Sequence, residues 1–355
     1  MNRLAGIILL ALLLLGAACA EERMNLAQLA DTEIGFAYAD AYNWMPNRFK
    51  PYDPESAALS GLILWTMSYE EKDVLCATRL DTGECRAYSF YAYPIQSDPE
   101  LDGALLAEEK DGKVTLWHMD RAGNLSVFNT LEGIEPYLYT QSASSARFDY
   151  AVLAYCNDCL YYRRRVDREK TYFEYVCRRM DGTEYVYQGT TGCLSGSGRM
   201  AYFAKQKADG TKMLVIEGPE TGVQETGICE SQDMAIRTIC WRDDDTLLFW
   251  SIDANDTSEK PYRMFSYHAS DGTIAEVLNA NGEAIASEVA LYFGMICKDR
   301  YIVTSNQIAQ VFDDLCGEPV LLDLQTGAHY SIVQPYNFVK RGYISGTIPM
   351  AYMLK

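Results

Sequence analysis

Six glycines constrain this chain more than anything else in it. Gly83, Gly123, Gly182, Gly222, Gly272 and Gly327 each stand in a polar turn between two short apolar runs. Examples are LDTGECRAYSF (Leu80–Phe90), MDGTEYVY (Met180–Tyr187), YHASDGTIAEVL (Tyr267–Leu278) and LDLQTGAHYSIV (Leu322–Val333). The successive gaps are 40, 59, 40, 50 and 55 residues. A chain that repeats one hairpin at such intervals is built of similar units, each too small to bury its own apolar face.

A second turn precedes each glycine by about ten to fifteen residues, for example at Asp111-Gly112 and Asp209-Gly210. One strand-length run separates the two turns (VLCATRL, KVTLWHM, YFEYVCRRM, KMLVIEG, YRMFSYH, PVLLDL), and another precedes the first (GLILWTMSY, CLYYRRRV, TLLFWSID). Val, Ile, Leu, Tyr, Phe and Trp dominate them, as strands prefer. Runs such as TLLFWSI are nearly continuous apolar stretches suited to strands covered on both faces, while AHYSIV and TEYVYQ alternate, as an outer strand with one wet face does. The gaps exceed the roughly 8–12 residues between hairpins of a sandwich and bracket the roughly 40–50 of a propeller blade. We therefore expect an all-β chain: a β-propeller of about six four-stranded blades over residues 34–355, with seven also open. Spare strand-like runs at Ile34–Ala41 and Tyr343–Leu354 would close the ring or supply the seventh blade.

The first twenty residues stand apart. Met1-Asn2-Arg3, the apolar run Leu4–Leu15 and Ala18-Cys19-Ala20 have the layout of a cleaved export signal over residues 1–20. A lipoprotein signal acylated at Cys19 is the rival, disfavoured by Gly16, where a large aliphatic residue is usual. Residues 21–33 read as a spacer, with a hint of helix at Met24–Asp31. No later run is long enough to span a membrane. The formal net charge of −18 opposes binding to nucleic acid or anionic lipid. The expected product is a secreted monomer.

Two joints, Ser195-Gly196-Ser197-Gly198-Arg199-Met200-Ala201-Tyr202-Phe203 and Trp241-Arg242-Asp243-Asp244-Asp245-Thr246-Leu247-Leu248-Phe249, lead from a turn into a strand. They resemble the loop-to-strand joints of TolB-like and related WD40-like propellers. The resemblance implies the fold and that family's commonest role, a rigid disk that binds partners; it names no partner and no site.

Catalytic templates find little to match. The chain has three histidines, His118, His268 and His329, none at zinc-ligand spacing. There is no GxSxG elbow, P-loop or sialidase Asp-box. Asp243-Asp244-Asp245 is the densest acidic cluster, read as a polar turn with a funnel-facing site or bound Ca²⁺ as the sharper alternative. Asp253–Ser258 resembles a calcium loop but has Met264 where the twelfth-place acid belongs. Arg163, Arg164 and Arg165 form the one basic run, and strand alternation sends Arg163 and Arg165 to one face. Trp241 and the other tryptophans (Trp44, Trp65, Trp117, Trp250) offer aromatic platforms for a sugar or peptide. Cys156-Asn157-Asp158-Cys159 reads as a hairpin disulfide or two packed thiols. The functional expectation is a non-enzymatic binding module for a protein or glycan, with no cofactor. The alternative is a carbohydrate-active hydrolase or lyase using funnel carboxylates, with Ca²⁺.

Overall fold

The computed structural model describes residues 23–30, 36–38, 50–132, 152–165, 173–204, 211–332, 337–339, 342–343 and 352–353, apart from one- or two-residue gaps in turns. The expected export signal and Cys19 lie outside these residues, as does Trp44. Among the described residues the chain is almost entirely β, with one 3-10 turn (Leu26–Leu29) and one α turn (Pro54–Ala57).

The strands form successive antiparallel units. The second comprises Tyr93–Ser97, Ala104–Lys110, Lys113–Met119 and Asn124–Glu132; the fifth comprises Met234–Trp241, Thr246–Asp253, Tyr262–His268 and Ile274–Glu276. In the third, Val152–Cys156, Cys159–Arg165 and Phe173–Arg179 are followed by Glu184–Leu194. That last strand pairs with the third unit up to Gly189, then bends and pairs with Met200–Ala204, so it opens the fourth unit. Lys212–Gly218 and Gly222–Glu230 complete the fourth. The sixth holds Leu291–Cys297, Tyr301–Val311, Asp314–Asp323 and His329–Ser331. Leu62–Tyr69, Lys72–Arg79 and Cys85–Tyr88 form the first.

All six repeat glycines adopt positive φ, between 67° and 86°. A side chain is strained there and glycine is not. In five of these turns an aspartate caps the backbone: Asp181 Oδ1 accepts from Thr183 N at 2.8 Å, Asp271 Oδ1 from Thr273 N at 2.9 Å, and Asp81, Asp120 and Asp323 stand likewise. The burial gradient follows the expectation: Thr246–Leu247–Leu248–Phe249–Trp250–Ser251 is buried throughout, whereas Ile274–Glu276 is exposed throughout.

Alternate residues of each strand serve opposite faces, so each unit packs on two neighbours. Leu64 and Leu75 meet Leu106 and Trp117; Ile95 and Leu116 meet Leu160 and Val176. Tyr161 and Tyr187 meet Tyr202 and Val215; Phe203 and Ile216 meet Trp241 and Phe249. Leu248 and Trp250 meet Ile302 and Leu322, and Tyr301 and Leu321 of the sixth unit meet Trp65 and Cys76 of the first. Face-to-face stacking of consecutive antiparallel units is the arrangement of a β-propeller.

The termini do more than expected. Gly342–Tyr343 and Tyr352–Met353 pair with Leu62–Tyr69 of the first unit, and Phe36–Tyr38 pairs with Asn337–Val339. Within the residues read as a spacer, 23–30 lie against two units: Arg23–Asn25 pairs outside Asn124–Glu132, and Leu26 is buried in the seam between the first two units. Leu26 N donates to Gly123 O at 2.7 Å and Ser89 N to Leu29 O at 2.8 Å. Within the helix hinted at Met24–Asp31, Leu26–Leu29 form a single 3-10 turn capped by the Asn25 side chain.

Candidate functional site

The turns joining first to second strands lie at one end of the units and are tied across seams. Asp98 Oδ1 accepts from Asn157 N at 3.0 Å, the Tyr161 hydroxyl donates to Gly198 O at 3.4 Å, and Asp244 Oδ1 accepts from Ser197 N at 2.8 Å. The acidic turn Asp243–Asp245 belongs to this chain of ties. Asp243 Oδ1 accepts from Asp245 N at 2.9 Å and Thr246 N at 2.7 Å, closing the turn on itself. Burial pushes the Asp243 carboxyl up, but these backbone donors prevail and hold it below its ordinary range. Asp244 O accepts from Arg199 Nη1 at 3.0 Å.

Asp245 reaches across to the next turn, accepting from Ser270 N at 2.7 Å and Ser270 Oγ at 2.9 Å. His268 Nδ1 lies 3.8 Å from the same carboxylate. Serine, histidine and aspartate thus meet, but the serine donates to the aspartate directly. A nucleophilic serine needs the imidazole as its base. The group is a turn cap. Among the described residues no cluster of three or more His, Cys, Asp or Glu side chains fits a metal ion.

Trp241 is only 8% exposed, its Nε1 donating to Cys193 O at 3.3 Å and the Arg199 guanidinium lying 5.5 Å from its ring centroid. Trp65, Trp117 and Trp250 are buried as well. Trp65, Trp117, Trp241 and Trp250 each pack in a seam between units. Arg163 and Arg165 stand opposite Tyr175 and Phe173, toward the far end of a strand that starts at the Asn157-Asp158 turn. They are not brought together with the acidic turn.

The most chemically loaded place is one that motif reading passed over. Glu217 sits in the seam between the third and fourth units, 6% exposed. The Tyr202 hydroxyl donates to its Oε2 at 2.5 Å and the Tyr185 hydroxyl to its Oε1. Donation to Glu217, with burial, pushes the Tyr185 hydroxyl up to about 12; burial first and Glu217 second push Tyr202 upward too. Tyr187 packs edge-on against both rings, at 4.9 and 6.0 Å, and its buried hydroxyl has no hydrogen-bond partner. Nearby, burial raises the Cys177 thiol to about 11 and the Cys156 thiol to about 12. Such thiols stay protonated at neutral pH, unlike the low-pKa thiolates of redox catalysts. Cys156 and Cys159 are free thiols, the packed-thiol alternative of the sequence reading.

The innermost strands carry little acid–base chemistry. Tyr93–Ser97 reads YPIQS, Val152–Cys156 VLAYC, Met234–Trp241 MAIRTICW and Leu291–Cys297 LYFGMIC. The first two pair in parallel, and Gln96 Nε2 donates to Leu194 O of the fourth unit's opening strand at 2.9 Å. Among the described residues no helix is long and apolar enough to cross a membrane.

No family model matches the sequence, and no curated protein matches it. Solved structures do. The β-propeller domain of the Trilobed protease from Pyrococcus furiosus is similar at 14% identity and a TM-score of 0.41, over 78% of this chain and 82% of that one. A hypothetical selenium-binding protein from Sulfolobus tokodaii is similar at 8% identity and a TM-score of 0.45, over 86% and 96%. A GH43 endo-arabinanase from Bacillus licheniformis is similar at 11% identity and a TM-score of 0.31, over 67% and 96%. The functional reading rests on this chain's own residues.

Proposed function

We propose that this chain is an exported, non-catalytic binding module: a six-bladed propeller, monomeric, with a protein partner outside the cytoplasm. One observation carries the non-catalytic reading. Each carboxylate of the acidic turn is committed, Asp243 and Asp245 to main-chain N–H groups and Asp244 to the neighbouring unit's Ser197. A glycosidase needs one carboxyl ready to give up a proton and another free to attack or activate water. The six seams, the last joining the sixth unit to the first, support the blade count. The signal-like residues 1–20 support export.

Of the two ligand classes, a protein is favoured over a glycan. Trp65, Trp117, Trp241 and Trp250, which would have to stack on a sugar, are buried, while Phe128 and Met180 are 42% and 54% exposed. They flank one seam: the Phe128 ring stands edge-on to Tyr155 of the third unit, and Asn129 Nδ2 meets Met180 Sδ at 3.8 Å. Exposed aromatic and Met side chains over a rigid support are what protein interfaces enrich.

The test uses residues 21–355, incubated with soluble polysaccharides and peptides and assayed for new reducing ends and free amines. In parallel, the same chain is crosslinked to extracellular and envelope proteins. We expect no product, and a crosslinked protein that is lost on Phe128→Asp. Product release that disappears when a carboxylate is replaced would overturn the reading in favour of the hydrolase or lyase.

A further inference from the structure

Among the described residues two methionines stand exposed, Met180 at 54% and Met234 at 42%, while Met119, Met200 and Met264 are buried to 1% or less. A thioether open to solvent is within reach of peroxides, and its sulfoxide is polar where methionine was apolar. Of the two, Met180 has a side-chain donor at its sulfur: Asn129 Nδ2 meets Sδ at 3.8 Å. Asn129 belongs to the second unit's outer strand and Met180 to a turn of the third unit, so the contact crosses the seam.

Both sides of that contact are held in place. The Asn129 side-chain oxygen accepts from Thr130 N at 2.8 Å, which fixes the carboxamide with its NH2 toward Met180. Met180 enters a closed turn: Gly182 N donates to Arg179 O at 2.9 Å, and Asp181 Oδ1 accepts from Thr183 N at 2.8 Å. A thioether sulfur is only a weak acceptor. A sulfoxide oxygen carries far more negative charge, and rotation about the Cγ–Sδ bond of an exposed side chain brings it to the amide. The seam therefore offers little to methionine and a full hydrogen bond to its sulfoxide.

We propose that Met180 is an oxidation switch on the partner surface: a hydroperoxide converts its thioether to the sulfoxide, which bonds to Asn129 and ends docking beside Phe128. The sulfur lone pair attacks the terminal peroxide oxygen. The S–O bond forms as the O–O bond breaks, and the departing alkoxide takes the attacked oxygen's proton. Sulfur loses two electrons, and the hydroperoxide is reduced to an alcohol. The effect on docking rests on the protein-partner reading above; the oxidation and the new hydrogen bond do not.

The experiment alkylates the accessible thiols of the folded 21–355 chain, treats it with tert-butyl hydroperoxide, maps sulfoxides by peptide mass and records thermal unfolding. We expect sulfoxide at Met180 and Met234 well before Met119, Met200 or Met264. The unfolding midpoint should rise by about 1–2 °C, the worth of one neutral hydrogen bond in a chain of this length. Asn129→Asp keeps the acceptor for Thr130 N and removes the donor, so it should oxidise at Met180 without the rise. Met180→Leu should show no rise either. Crosslinking to extracellular and envelope proteins, repeated after oxidation, should lose the parent chain's product and keep that of Met180→Leu. Met180 oxidised no sooner than Met200, an equal rise in Asn129→Asp, or a crosslinked product that survives Met180 oxidation would overturn the proposal. An untreated chain that crosslinks to nothing would instead overturn the partner reading, with the sulfoxide map and the midpoint still deciding the bond to Asn129.

Discussion

The acidic turn of the fifth unit and the buried carboxylate between the third and fourth hold the same chemical group in opposite surroundings. Asp245 is half-exposed at its turn, and water can replace each donor it has. Glu217 is enclosed, held by two phenols, and among the described residues no cation pairs with it. The dense, visible cluster makes replaceable ties; the single, inconspicuous glutamate has no substitute. Local density of acids in a sequence says little about how much rests on any one of them.

Substitutions at five positions, and one change of pH, would break or sharpen that contrast. Glu217→Ala strands the buried Tyr202 hydroxyl, at a cost of roughly 1–3 kcal/mol, and the part-buried Tyr185 hydroxyl, at less, so we expect a loss of about 3 kcal/mol in denaturant unfolding. Glu217→Gln, which keeps one acceptor, should lose less. A third seam supplies the next effect. Burial holds His329 down at about 4, against 6.5 in an open chain, and Lys260 adds to this. Below 6.5 the unfolded chain takes up a proton that the fold refuses, so stability present above pH 6.5 is lost as pH falls to about 4. We expect a drop of about 3 kcal/mol over that window, flattened in His329→Gln.

Asp245→Ala should be milder, about 1 kcal/mol, because the freed Ser270 N–H and hydroxyl can turn to water. The smallest effect should be Tyr187→Phe. Its hydroxyl has no partner, so removing it should leave the unfolding midpoint unchanged or slightly raised. Tyr202→Phe, which removes a donor to Glu217, should lower it.

Much of the fold was legible because its grammar is local. A turn that needs positive φ selects glycine, and all six glycines picked by spacing adopt it. The gradient from buried to exposed strands was readable in the same way, since burial on two faces or one leaves different alternation. The innermost strands were not separated in the sequence. YPIQS and VLAYC are only five residues each, and Glu184–Leu194 serves two units in one run. The placement of residues 23–30 was not legible because MNLAQL bonds through main-chain groups to strands far along the chain, which no local pattern shows.

The site was less legible than the fold. Asp243–Asp245 announced itself by density, yet its partners Ser197, Arg199 and Ser270 come from other turns, which no local pattern can show. Glu217 carried one usable signal, an acid closing the apolar run KMLVIEG. Its tyrosine partners are brought to it only by stacking of units.

The claim that these carboxylates hold the fold and do no chemistry is tested most directly on one set of variants. Glu217→Ala, Asp244→Ala and Asp245→Ala are compared with the parent chain in denaturant unfolding and in polysaccharide and peptide turnover. We expect every variant to unfold at lower denaturant, Glu217→Ala lowest, with no turnover in any. A variant as stable as the parent that has lost a turnover the parent shows would contradict the account.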